Sequence, residues 1–232
     1  MDLNNKKVII TGISKGIGKA LATALLEKGA YVTGLGMSAP DYAHERLHFV
    51  KTDIRNYEEV ENGFAAALKA MGGELHVLIN NAGLGYFGQL ETISLEQYHE
   101  MMEVNVNGVF YCCKEALPIM KAAQYGHIIT ISSIAGLEAN AEVGAYCATK
   151  FAVKGMMESL YKEVRYDKIK VTSLYPGSVK TDFFRNSPVI KPHDFMLMPE
   201  DIATAMVQVL ETPDNYHVVN YEVRPLRPKG EK

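Results

Sequence analysis

Val8-Ile9-Ile10-Thr11-Gly12-Ile13-Ser14-Lys15-Gly16-Ile17-Gly18 runs from a short apolar segment into glycines spaced G-x-x-x-G-x-G. An apolar run of that length, bounded by glycine, reads as a buried strand followed by a tight turn. Beyond the turn, Ile17, Ala20, Leu21, Ala24 and Leu25 recur at helical spacing. Gly29 stands where such a helix ends, and Ala30 to Leu35 reads as the next strand. Strand, glycine turn and helix in this order begin a βαβ unit. A turn stripped of side chains lets a pyrophosphate come close to backbone amides at the helix N-terminus. The spacing carries one residue more than the G-x-G-x-x-G fingerprint, but the strand and helix around it are the context such a site needs.

The alternation continues outward. Leu47 to Lys51 reads as a strand, and Asn56 with Glu59 as a capping box opening a helix. Leu75 to Ile79 is a buried strand that ends in Asn80-Asn81-Ala82-Gly83. Ser94 with Gln97 caps a long helix through Val104, Val109 and Leu117, which Pro118 is expected to bend or shorten. Ile128 to Ile131 forms a strand closing at Ser132-Ser133, Val171 to Tyr175 another that stops at Pro176-Gly177, and His217 to Val223 the last. A helix starts near Pro199, with Glu200 and Asp201 in its first turn. Strands alternating with helices predict a parallel sheet covered on both faces, with a ligand crevice beyond the carboxyl ends of the strands. Gly12, Asn81, Ser133 and Pro176 all follow strand ends and are expected to converge there.

The 232 residues suffice for one large α/β domain, and the 47% hydrophobic and 22% charged fractions are ordinary for a soluble protein. A net charge of -3 without a Lys/Arg block argues against a nucleic-acid or anionic-membrane partner. Apolar stretches break off before the length of a membrane span, and the first strand starts too early for a signal peptide, so a cytoplasmic protein is expected. Cys112, Cys113 and Cys147 form no CxxC pair and are expected to be buried apolar residues. The histidines at 44, 48, 76, 99, 127, 193 and 217 show no ligand spacing, so no metal site is expected.

A second constellation lies at Tyr146 and Lys150, one helical turn apart. A cation beside a phenol favours the phenolate and lowers the Tyr pKa from its ordinary value of about 10, which equips the pair for proton transfer. The same helix runs on through Val153, Met157, Leu160 and Val164, and its Phe151, Met156 and Met157 read as packing or subunit-contact residues.

Taken together, Thr11-Gly12-x-x-x-Gly16-x-Gly18, Asn80-Asn81-Ala82-Gly83, Val104-Asn105, Ser133, Tyr146-x-x-x-Lys150 and Pro176-Gly177 with Thr181 resemble the short-chain dehydrogenase/reductase family over essentially the whole chain. The resemblance implies a Rossmann-type, doubly wound, mostly parallel seven-stranded sheet in a single domain, residues 1–232, with a substrate lid at about 182–199. It implies hydride transfer between an alcohol and a carbonyl, with Tyr146 as general acid or base. Lys150 would hold the nicotinamide ribose and tune Tyr146, Ser133 would hold the substrate oxygen, and Asn105 would maintain a kinked helix and a proton relay. Ser132 is the alternative to Ser133, and Asn107 to Asn105. The resemblance places Gly12, Ser14, Lys15, Gly16, Ile17, Gly18, Ser38, Asp53, Ile54, Asn81, Ala82, Gly83, Pro176, Gly177, Val179 and Thr181 along the dinucleotide, together with Asn105, Tyr146 and Lys150.

NAD-preferring Rossmann enzymes carry an acidic residue at the end of the second strand. That position falls on Gly36, followed by Met37 and Ser38, while Lys15 in the glycine turn offers a cation to a 2′-phosphate. NADP(H) is therefore favoured and NAD(H) remains possible. The expected partner is a small carbonyl or alcohol, and a homodimer or homotetramer is implied. An NAD-preferring dehydrogenase and a non-catalytic dinucleotide-binding sensor or scaffold are the alternatives. The lid segment is short and holds Pro188 and Pro192, and Leu84, Tyr86, Leu137, Glu138, Glu142 and Phe183 are candidate pocket walls.

Overall fold

A parallel sheet of seven strands in the order β3-β2-β1-β4-β5-β6-β7 organises the molecule, seen in a computed structural model that describes residues 1–185, 187, 191 and 193–227. The strands are β1 (Lys7–Thr11), β2 (Tyr31–Gly36), β3 (Leu47–Lys51), β4 (Val77–Asn80), β5 (Gly126–Ile131), β6 (Ile169–Pro176) and β7 (Asn220–Val223). The helices are α1 (Gly16–Glu27), α2 (Tyr57–Ala70), α3 (Leu95–Met102), α4 (Gly108–Ala123), α5 (Gly144–Val164) and α6 (Pro199–Leu210). Helices α1 and α6 pack on one face around Ile10, Leu21, Leu25 and Met206, whereas α2, α4 and α5 cover the other around Ile9, Phe64, Leu78 and Val153. The strand order reverses between β1 and β4, and a crevice opens at such a point beyond the strand ends.

Three expectations are corrected. The long helix is interrupted by a π turn over Glu103–Asn107, not at Pro118, and α4 continues through Pro118 to Ala123. Pro118 and Lys114, whose carbonyl loses its helical partner, both lie on the exposed face, where an unpaired carbonyl costs least. At Asn56 the capping box is half made. Its side chain accepts from Glu58 N and Glu59 N, but Glu59 Oε2 accepts from Asp53 N instead. The last strand starts at Asn220, and ahead of it the His217 ring nitrogen Nε2 stands 3.0 Å from Val171 N and 2.8 Å from Val171 O, where ladder bonds would otherwise lie. The Ser94–Gln97 capping box forms as expected.

One buried group makes stability depend on pH. His127 is 1% exposed, with Nε2 2.8 Å from Thr172 Oγ1 and Nδ1 unpartnered. Burial above all, then the charges of Lys170, His217 and the N-terminus, push its pKa down to about 3. The folded protein keeps the ring neutral while the unfolded chain protonates it near 6.5, so stability is full above that pH and falls as pH drops toward 3. At about 1.4 kcal/mol per pH unit, wild type should lose about 2 kcal/mol more than His127→Gln between pH 6.5 and about pH 5, read from urea midpoints.

Candidate active site

The glycine turn, the ends of β4, β5 and β6 and the segment after Pro176 enclose a cleft of about 660 Å³. Gly12 and Gly16 take φ of 74° and 58°, which side chains disfavour. Gly18 permits the closest approach. A methyl group there would overlap the Gly12 carbonyl oxygen and stand 2.5 Å from Asn81 Nδ2. Asn81 in turn donates to Thr11 O and Gly12 O at 2.9 Å each, while Thr11 Oγ1 accepts from the amides of Asn81 and Ala82 at 3.0 Å. Asn81 thus fastens the end of β4 to the turn and fixes its shape.

Helix α1 begins in that turn with Lys15 as N-cap, no side-chain cap and no acidic residue in its first turn. Uncapped amides at the positive end of a helix, facing a cleft with no Cβ in the way, fit a pyrophosphate. Lys15 is three-quarters exposed and lies 3.9 Å from Asp182, a surface pair too weak to keep the ammonium from a phosphate. The end of β2 has room as well, since a methyl group on Gly36 would meet Gly12 only at 3.7 Å.

Deeper in the cleft, α5 presents Tyr146 and Lys150, both nearly fully buried. The Lys150 ammonium stands 5.6 Å from the Tyr146 ring centre and 3.5 Å from Ile131 O. Burial pushes the phenol well above its ordinary pKa and the ammonium down to about 8. Desolvation is the largest cause of the Tyr146 shift, and Lys150 is not among its causes. The hydrogen bond with Ser133 is what pulls the phenol the other way. Ser133 Oγ also accepts from Ala135 N at 3.1 Å, so it caps the turn after β5 as well as facing the phenol. Ser132 Oγ is buried without a hydrogen-bond partner.

The π turn brings Asn105 into the interior at 1% exposure. Its side chain accepts from Leu84 N at 3.0 Å and donates to Leu84 O at 2.8 Å and Thr149 Oγ1 at 3.1 Å. One amide thereby ties the loop after β4 to the helix that carries Tyr146.

Of the residues singled out by sequence, Gly12, Ser14, Lys15, Gly16, Ile17, Asn81, Ala82, Gly83, Ser133, Tyr146, Lys150, Pro176, Gly177, Val179 and Thr181 line the cleft. Gly18 and Asn105 support it from behind. Ser38 is exposed and Ile54 buried, and neither lines it. Asp53 gives both carboxylate oxygens to Arg55, at 2.9 Å to Nε and 2.6 Å to Nη2. Leu84, Tyr86 and Phe183 are walls as expected, whereas Leu137, Glu138 and Glu142 are not, and Glu138 pairs with Arg224 at 2.5 Å. Sequence reasoning missed Gly85, Phe87, Gln97 and Ile131 as lining residues, and named Asp182, Phe184 and Ser187 only as part of the lid segment. Phe87 and Phe184 had a usable signal, since aromatics beside Gly83 and beside Phe183 sit on the loops expected to face the crevice.

A family model described as short chain dehydrogenase matches residues 6–189. An uncharacterized oxidoreductase of Staphylococcus aureus is 35% identical, covering 97% of this chain and 99% of its own. Among solved structures, an alcohol dehydrogenase of Thermococcus sibiricus complexed with 5-hydroxy-NADP is 29% identical with a TM-score of 0.87, covering 98% of this chain and 100% of its own. A 3-ketoacyl-(acyl-carrier-protein) reductase of Brucella melitensis complexed with NADH is 25% identical with a TM-score of 0.87 over the same shares. Among the described residues no helix is long and apolar enough to cross a membrane, and no His, Cys, Asp and Glu cluster could hold a metal ion.

Proposed function

This chain belongs to the short-chain dehydrogenase family and is an NAD(P)-dependent oxidoreductase, and we propose that it interconverts a carbonyl and an alcohol with NADP(H), using Tyr146 as the acid/base group. The observation that carries the proposal is the meeting of Ser133, Tyr146 and Lys150 beside an uncapped helix N-terminus in one cleft. The dinucleotide, when bound, supplies or accepts the hydride. The glycine turn and the first amides of α1 would hold its pyrophosphate, with Lys150 toward the ribose and Thr181 and Val179 toward the carboxamide end. Ser133 would orient the substrate oxygen, and Tyr146 would give it a proton in reduction or take one in oxidation. Asn105 would hold Leu84 and Thr149 in register behind them.

Burial of Tyr146 favours the protonated phenol, the form that reduces carbonyls. Alcohol oxidation needs the phenolate and should climb steadily through the alkaline range, whereas carbonyl reduction should be favoured near neutrality. Initial rates in both directions against pH check this.

NADP(H) is preferred because no carboxylate stands at Gly36 and Lys15 is free to turn toward a 2′-phosphate. Fluorescence titration should show NADPH bound more tightly than NADH. Gly36→Asp, which the space around Gly12 admits, should weaken NADPH about tenfold or more through charge repulsion and favour NADH. Tighter NADH binding by wild type contradicts the Lys15 assignment.

The segment 182–199 is read as the substrate lid; residues 186, 188–190 and 192 in it lie outside the described residues. Self-association as a homodimer or homotetramer is supported by Phe110 and Phe151, half-exposed on α4 and α5. A cytoplasmic setting is supported by three buried, free cysteines.

A further inference from the structure

The substrate half of the cleft has a character of its own. Phe87 touches the Tyr146 ring at 5.4 Å between centres with planes 63° apart, and Phe183 at 6.0 Å with planes 68° apart. Phe183 reaches Tyr146 at 5.8 Å, and Phe184 meets Phe183 edge-on at 5.3 Å. These separations and tilts are those of favourable aromatic pairs, in which ring edges point at ring faces.

Gly85 makes the cluster possible. A methyl group there would stand 2.7 Å from Phe87 Cζ and 3.0 Å from Phe183 Cζ, so the missing side chain leaves the space that the two rings fill.

The two phenylalanine walls differ in how they are held. Phe87 is on a loop fastened at Leu84 by Asn105, at Tyr86 by Met101 Sδ and Glu100, and at Gly88 by Glu142 O at 2.7 Å. Phe183 sits on the short turn Asp182–Phe184, capped by Thr181 at 3.3 Å and joined to the glycine turn by the exposed Lys15–Asp182 pair. Phe87, 8% exposed, is the fixed wall, and the half-buried Phe183 is the more open one. Of the described lining residues, the cations are Lys15, in the glycine turn, and Lys150, buried at Tyr146. Beside Phe183 the lining residue is the carboxylate Asp182, which disfavours a second negative charge at that wall.

We propose that this half of the cleft is an aromatic box that selects uncharged aryl carbonyls, with Phe87 and Phe183 as its specificity-determining walls and Gly85 as the residue that gives them room. The inference rests on the carbonyl–alcohol reading above for its turnover, though not for its ring recognition.

The test compares benzaldehyde, cyclohexanecarbaldehyde and 4-carboxybenzaldehyde with NADPH, and in parallel the binding of unreactive benzamide and cyclohexanecarboxamide by ligand-observed NMR. The phenyl member of each pair should be favoured about tenfold, the equivalent of about 1.4 kcal/mol, and the carboxylated aldehyde should be disfavoured at least as strongly. Phe87→Leu should bring the phenyl-to-cyclohexyl binding ratio close to one, and Gly85→Ala should lower it. If no carbonyl is reduced but benzamide keeps its advantage, the box stands and the carbonyl reading fails. Equal binding of the two amides, or preference for the carboxylated aldehyde, overturns the box.

Discussion

Replacing Tyr146 by Phe should lower turnover about a thousandfold while NADPH binding stays within a few-fold of wild type. The two halves of this result have separate causes. The ring itself is part of the packing, in contact with Phe87 and Phe183, and phenylalanine keeps those contacts and the shape of the cleft. Only the hydroxyl disappears, along with its hydrogen bond to Ser133. General acid–base catalysis by a positioned side chain contributes about 10²–10⁴-fold, and no other described group beside Ser133 combines a transferable proton with that position. Lys150 is behind the phenol, not in place of it, with its ammonium 5.6 Å from the ring centre. Unchanged turnover in Tyr146→Phe would remove Tyr146 from the chemistry.

The second large effect is expected from Gly18→Ala. The added methyl group would overlap the Gly12 carbonyl oxygen, to which Asn81 donates at 2.9 Å, and crowd the Asn81 amide at 2.5 Å. Backbone on one side and a doubly bonded amide on the other leave no flexible group to yield, so the turn must shift as a unit. Overpacking of this kind costs about 1–3 kcal/mol, and the shift moves the first amides of α1 away from any anion they hold. Thermal midpoint and NADPH affinity should fall together, the affinity by about a hundredfold. Gly36→Ala is the matched comparison. Its methyl group meets Gly12 at an ordinary 3.7 Å, and it should change the midpoint little. Equal behaviour of the two variants would contradict the packing argument.

Much of this was legible before the fold was seen, and the parts that were not share a cause. Strands such as Val8 to Ile10 and Ile128 to Ile131 are buried on both faces, which forces continuous apolar runs that read without ambiguity. The glycine turn was readable because its residues answer to local backbone geometry, as Gly12 and Gly16 show. Pro118 misled for the opposite reason. A proline costs a helix least where its freed carbonyl is exposed to water, and exposure is a tertiary fact that the local pattern does not carry. The interruption at Asn105 was expected from the family resemblance alone, since the partners that specify it, Leu84 and Thr149, are distant and no helical period reveals them. Spacing along the helix named the Tyr146 and Lys150 pair but carried nothing of the burial that raises the phenol, since spacing reports proximity and not desolvation. The aromatic walls depend on two loops far apart in sequence meeting above one tyrosine, so Phe87, and its pairing with Phe183 and Phe184 of the expected lid, stayed hidden.

The most direct test of the central claim is deuterium transfer. NADPH deuterated at its hydride-donating carbon is incubated with wild-type protein and benzaldehyde, and the product is analysed by mass spectrometry. The expected result is an alcohol carrying a single deuterium on the carbinol carbon, formed by wild type and nearly absent with Tyr146→Phe. Tight NADPH binding with no labelled alcohol from benzaldehyde or any other carbonyl supplied would contradict carbonyl–alcohol hydride transfer as the function of this site.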